Sequence, residues 1–200
     1  KDGKVVIFHD SNLRRLAGIN KKVHELTLEE IRSIDLLEGG KIPLLSEALE
    51  LFPELRFNID IKTEDALDET IKIIKNMTAL NRTCLASFSS SRLERIRKIA
   101  GPESCTSSGQ MEIFKMMCKS VGLPAENTPG HCAQVPVSQW GVPVITKRFI
   151  KTAKNLNKLV HVWTIDDQET MNDLIDLGVD GLMTDKPSIL KKALIARGLF

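Results

Sequence analysis

The sequence predicts an α/β fold of the (β/α)8 TIM-barrel type, incomplete and missing its first two strands. Three observations carry that prediction. Short β-rich runs alternate with amphipathic helical segments along most of the chain, and six such βα units follow an N-terminal arm. No G-x-G-x-x-G turn follows an early strand, which counts against a doubly wound nucleotide-binding sheet. The chain has 200 residues, short for a barrel that usually takes about 250.

The arm, "KDGKVVIFHD", reads as a hairpin turn at Asp2-Gly3 followed by a strand over Val5–Phe8 that stops on the titratable pair His9-Asp10. Almost nothing precedes that turn to supply the hairpin's first strand. Thr27-x-x-Glu30 has capping-box spacing and starts a helix. "LRFNIDIK" is a strand, followed by a helix with Leu67, Ile71, Ile74 and Met77 on one face. "TCLASF" leads to a helix with Leu93, Ile96 and Ile99 inward, and "SCTSSG", a poor strand, leads to "MEIFKMMCKSVGL".

The proline- and glycine-rich region from Gly122 to Pro143 reads as a loop interrupted by one strand, "HCAQVPV", before a helix with Phe149, Ile150, Ala153 and Leu156. "LVHVWTI" is followed by an Asp166-x-x-Glu169 capping box and a helix with Met171, Leu174 and Ile175. "GVDGLMTD" precedes a terminal helix with Pro187 just inside it. No repeat, low-complexity segment or linker interrupts this order, so one domain over 1–200 is expected.

Composition narrows the function classes. The content is 42% hydrophobic and 27% charged, with a net charge of +2. The basic residues form no long stripe, so no nucleic-acid partner is expected. Cys84, Cys105, Cys118 and Cys132 match neither a zinc spacing nor a disulfide framework, and a reducing, cytoplasmic setting is expected. No apolar run approaches the roughly 20 residues of a transmembrane helix.

Strand alternation puts Phe57, Ile59 and Ile61 on one face of "FNIDIK" and Asn58, Asp60 and Lys62 on the other. In a barrel the polar face looks inward and rises to the C-terminal mouth, where such folds keep their chemistry. An internal Asp–Lys pair commonly only fills a lumen; its place at the mouth favours a functional reading. Phe88 ends the next strand, Gln134 precedes Val135-Pro136, and His161 and Trp163 share a face of "HVWTIDD". His161 reads as a buried, hydrogen-bonded residue rather than a catalyst, and Trp163 is the stronger binding candidate. Asp185 reads as a helix N-cap. On this reading His9, Asp60, Lys62 and Trp163 converge at one rim.

Taken together and in order, "KDGKVVIFHD", "IPLLSEALELFP", "NIDIK", "SF", "QVP", "VHVWTIDD" and "GVDGLMTDKP" resemble the glycerophosphodiester phosphodiesterase family over nearly all 200 residues. The resemblance implies hydrolysis of a glycerophosphodiester, the small-molecule partner, to glycerol 3-phosphate and an alcohol, aided by a divalent metal ion (Ca or Mg). It implies His9 as general acid or base, Asp60 as metal ligand, and Lys62, Phe88, Gln134 and Trp163 as substrate-binding residues. The family's "HRG", "PENT" and Glu-x-Asp segments have no counterpart in this sequence, and Asp60 is one methylene shorter than the family's glutamate. Those segments carry a second histidine and two more metal carboxylates, so a form without them is expected to turn over at least about a hundredfold more slowly. An open barrel edge would also favour a homo-oligomer. Two alternatives stay open: a barrel that binds an anionic ligand without turnover, and a related phosphodiesterase of the phosphoinositide or sphingomyelin type.

Overall fold

Alternation between period-two and period-3.6 apolar patterns folds the chain as successive strands and helices. The computed structural model describes all of them, residues 1–200. The elements divide into two compact units, one of Lys1–Leu85 and Glu94–Ser104, the other of Ala86–Leu93 and Cys105–Phe200.

The first unit begins with the arm. Val6 makes one antiparallel bridge to Leu44, flanked by the Ile7 amide donating to the Pro43 carbonyl (2.9 Å) and the Leu45 amide to the Val5 carbonyl (3.0 Å). The expected strand is therefore an extended arm instead, because Pro43 has no N–H with which to continue a ladder. Alternation still holds: Val6 and Phe8 pack against Leu13, Leu26, Ile31, Ile34 and Ile42, while Ile7 faces out. Gly3 has the left-handed φ of 74° that its turn needs.

Three short helices follow, α1 (Arg14–Ala17), α2 (Leu28–Ser33) and α3 (Leu45–Leu51). The Thr27–Glu30 capping box forms at the start of α2, with the Thr27 amide 2.7 Å from the Glu30 carboxylate. Strand β1 (Phe57–Asp60), helix α4 (Leu67–Asn76), strand β2 (Thr83–Ala86) and helix α5 (Ser90–Ala100) complete the first run, with β1 beside β2. Helix α4 buries Leu67, Ile71 and Ile74 as expected. Helix α5 buries Leu93 and Ile96, but Ile99 is exposed and Ala100 is buried instead. The reason is angular: from Leu93, position i+6 falls off the i, i+3, i+7 face.

The second unit contains β3 (Cys105–Thr106), α6 (Gln110–Ser120), β4 (Cys132–Val135), β5 (Ser138–Gln139), β6 (Val142–Pro143), α7 (Lys147–Asn155), β7 (Leu159–Val162), α8 (Gln168–Leu177), β8 (Gly181–Leu182) and α9 (Pro187–Ala196). Strands β4, β7 and β8 are parallel, with Gln134 opposite His161 and His161 opposite Gly181. The segment after β3 joins β4 through a parallel Ser107–Cys132 bridge. Ala133, Val135, Val160 and Val162 turn one face into a core shared with Phe149, Ile150, Met171 and Leu174. Gly130 is required at its contact, because a Cβ there would stand 2.6 Å from the Ser108 Cα. The six expected strand-then-helix pairs are all present: β1–α4, β2–α5, β3–α6, β4–α7, β7–α8 and β8–α9.

Three local expectations are corrected. The region from Gly122 to Pro143 holds β4 and also the antiparallel β5–β6 hairpin. The N-cap of α8 is Asp167, whose carboxylate accepts from the Thr170 amide at 2.8 Å. Asp166 is diverted across to the segment after β8, where it accepts from Thr184 Oγ1 (2.9 Å) and the Asp185 amide (2.8 Å). Asp185, held by that contact, does not cap α9. The cap position is Lys186, whose amide donates to Thr184 Oγ1 at 2.8 Å, and Pro187 sits in the first turn as expected.

Candidate active site

In the first unit, Leu13 is fully buried and pins α1, so that Arg15 points back toward the end of the arm. Arg15 grips the Asp10 carboxylate with Nε on Oδ2 and Nη2 on Oδ1, both at 2.7 Å. Such a two-point grip suits the planar guanidinium. The same carboxylate lies 2.9 Å from His9 Nδ1. Arg15 first, and His9 second, hold the Asp10 carboxyl far below the usual carboxylate range. An ionised carboxylate only accepts, so the contact requires a proton on His9 Nδ1. That tautomer leaves Nε2 of the neutral ring with its lone pair, on a side chain 80% exposed. The arrangement suits proton exchange with a solvent-borne group.

Strand β1 places Asp60 and Lys62 on one side of the chain, with Lys62 Nζ 3.1 Å from Asp60 Oδ2, while Ile61 between them is buried. Asn58 is exposed on the same alternation. Lys62 keeps 40% of its side chain exposed, enough for its ammonium to reach an anion. No group of three or more His, Cys, Asp or Glu side chains gathers to hold a metal ion. A hard cation such as calcium takes about six to eight oxygen ligands. Asp60, one carboxylate already paired with an ammonium, does not meet that need, so the side chains gathered in this structure do not fit a divalent-metal centre.

In the second unit, Phe88 and Trp163 meet edge to face with ring centroids 6.0 Å apart and planes at 78°. Phe88 is 62% exposed, so the aromatic pair presents an apolar wall to solvent. One register step below Trp163, Gln134 Nε2 lies 3.5 Å from His161 Nδ1. His161 is part-buried, and burial lowers its pKa against the smaller opposing pull of Asp180 and then Cys105. The expected hydrogen-bonded histidine is thus half-buried rather than fully buried.

The structure thus brings together Asp60 with Lys62, Phe88 with Trp163, and Gln134 with His161; His9 is joined to Asp10 and Arg15. Arg15 was not foreseen. Its signal was available in the spacing from Asp10 across the buried Leu13 to the start of a one-turn helix.

Comparison with known proteins gives a consistent result. The sequence profile of the Glycerophosphoryl diester phosphodiesterase family matches residues 1–189. The chain is 33% identical over 203 residues to the Mycobacterium tuberculosis protein named probable glycerophosphodiester phosphodiesterase 2, covering 99% of this chain and 77% of that protein. Among solved structures, a glycerophosphodiester phosphodiesterase from Parabacteroides distasonis matches with a TM-score of 0.75 at 23% identity, over 96% of this chain and 79% of the other. A phosphodiesterase from Oleispira antarctica, in complex with the product sn-glycerol-3-phosphate, matches with a TM-score of 0.76 at 19% identity, over 96% and 80%. These likenesses bear out the (β/α)8 barrel-type fold class.

Proposed function

The chain belongs to the glycerophosphoryl diester phosphodiesterase family, and on that premise we propose that it hydrolyses glycerophosphodiesters to glycerol 3-phosphate and an alcohol. The class of enzyme, a phosphoric diester hydrolase, follows from the family. The observation that supports the specific reading is the His9–Asp10–Arg15 array, which fixes a histidine tautomer and leaves its other nitrogen accessible.

Hydrolysis adds water across one P–O bond. The water oxygen bonds to phosphorus, the bond to the alcohol oxygen breaks, one proton leaves the water and one reaches the departing oxygen. His9 Nε2 serves one of these transfers, as base when neutral or as acid when protonated. Asp10 stabilises the imidazolium that forms in the first case, and Arg15 keeps Asp10 ionised and in place. Lys62 offsets charge on the phosphoryl oxygens. The Phe88–Trp163 pair contacts the carbon skeleton of glycerol, and Gln134 donates or accepts at a hydroxyl. No step above is routed through a calcium or magnesium ion, because the side chains gathered in this structure do not fit one.

The direct Asp60–Lys62 ion pair favours a second reading, an anion-binding barrel with little turnover. Assay of glycerol 3-phosphate release from glycerophosphocholine, beside equilibrium binding of glycerol 3-phosphate, separates the two: binding with no release above the uncatalysed rate supports the second.

A further inference from the structure

Trp140 stands at the tip of the β5–β6 hairpin with 94% of its surface exposed, the highest value among the exposed large hydrophobic side chains. Trp140 and Gly141 both have positive φ, 50° and 78°, as a two-residue hairpin turn of the primed type needs. Asn or Gly would adopt the first of those positions at lower cost than a bulky aromatic residue. The indole recovers nothing for folding, since it is almost wholly in solvent. Val142 and Val137 beside it are also exposed, at 54% and 38%. The base of the hairpin is firm by contrast: Val144 and Ile145 are buried in the second unit's core, and their amides donate to the Val137 carbonyl at 3.0 and 3.2 Å.

Immediately beyond, Thr146 caps α7, whose first turn carries Lys147 and Arg148, with Lys151 one turn later; all three are exposed. Cations in a first turn oppose the helix dipole. Nothing local offsets them, because the sequence holds no acidic residue between Glu126 and Asp166 and none of the three is ion-paired. A residue type unfavourable for the turn and a charge unfavourable for the helix thus lie side by side, each without a structural return.

We infer that the hairpin tip and the start of α7 dock onto an anionic lipid–water interface. Trp140, followed by Val142, enters the headgroup boundary, where an amphipathic indole is favoured, and Lys147, Arg148 and Lys151 meet lipid phosphates. Charge complementarity selects this occupant: three unpaired cations sit behind an apolar point and no carboxylate interrupts them. A single-stranded nucleic acid would want a groove with several stacking rings, and the tip offers one protruding ring. The surface lies within the second unit and does not depend on the hydrolytic reading; a protein that bound vesicles and hydrolysed nothing would keep this inference and lose that one.

The test is co-sedimentation of the full chain with vesicles of equal parts phosphatidylcholine and phosphatidylglycerol, beside vesicles of phosphatidylcholine alone. The protein is expected in the pellet with the anionic vesicles only, and less so as salt rises. With Trp163→Phe, which leaves Trp140 as the reporting indole, emission is expected to move to shorter wavelength on binding. Trp140→Ala should weaken binding about tenfold, and Lys147→Gln and Arg148→Gln about fivefold each. All three should keep the parent's circular dichroism and its turnover of a soluble glycerophosphodiester. Absence of binding, equal binding to both vesicles, or parent-like binding by Trp140→Ala overturns the inference. A Trp140-dependent dimer, or retention by a single-stranded oligonucleotide without vesicle binding, reassigns the surface to that partner and overturns it equally.

Discussion

Gly181 and His161 stand opposite each other in the β7–β8 register, and a Cβ on Gly181 would come within 2.9 Å of His161 Cδ2. The imidazole lies over a position where a side chain would otherwise be, with Gln134 on its other side across β4. A row of three strand positions is thus filled by an amide, an imidazole and a hydrogen atom. The glycine is there for room, since its own backbone is not in the left-handed region.

Gly181→Ala is therefore expected to displace the imidazole and to destabilise the protein by about 1–3 kcal/mol, the usual range for overfilling a packed site. Pairing it with His161→Ala should recover part of that loss. Chemical denaturation of the parent, both single variants and the double variant measures the coupling; strictly additive effects would separate the two residues.

Burial lowers the His161 pKa in the folded protein, while the unfolded chain keeps a value of about 6.5. Below that pH the unfolded state takes up the proton first, so stability falls as pH drops from about 6.5 toward the folded pKa. Above it both states are neutral and this residue contributes no slope. His161→Gln should flatten that part of the profile, read as melting temperature against pH between neutrality and the carboxylate range.

Arg15→Gln should leave Asp10 less firmly held and its carboxyl closer to the ordinary range, because Arg15 is the largest cause of its depression. The expected result is a fall in kcat of about tenfold with KM little changed, since the array acts on proton transfer rather than on diester binding. A merely structural role for Arg15 would instead lower the melting temperature and raise KM along with the loss of kcat.

Lys62→Met removes the ammonium while keeping most of the side chain's volume. A rise in KM for glycerophosphocholine, together with a fall in kcat, is expected from loss of a charge that meets the phosphoryl oxygens in both ground and transition states. Unchanged kinetics would place Lys62 in the Asp60 ion pair alone.

Much of this was legible in the sequence, because period-two alternation is a rigid consequence of strand geometry. Val160 and Val162 against His161 and Trp163, and Ile61 against Asp60 and Lys62, face as the pattern says. Helices with three or more core turns, such as the one carrying Leu67, Ile71 and Ile74, were equally plain. What escaped had weak local determinants. The β5–β6 hairpin has two-residue strands, and its turn uses Trp140-Gly141 where Asn-Gly would have announced it. Asp166 and Asp167 both qualify as caps, and the choice was made by Thr184, distant in sequence. Arg15 lies on a four-residue helix with no periodicity to read.

The central claim is that His9, oriented by Asp10, moves a proton during diester hydrolysis. Its most direct test is the rate of glycerol 3-phosphate release from glycerophosphocholine by His9→Ala of the full-length protein, measured beside the parent and with glycerol 3-phosphate binding as a check on the fold. A loss of at least about a hundredfold in kcat with binding retained is the predicted result. Parent-like turnover in His9→Ala would contradict it.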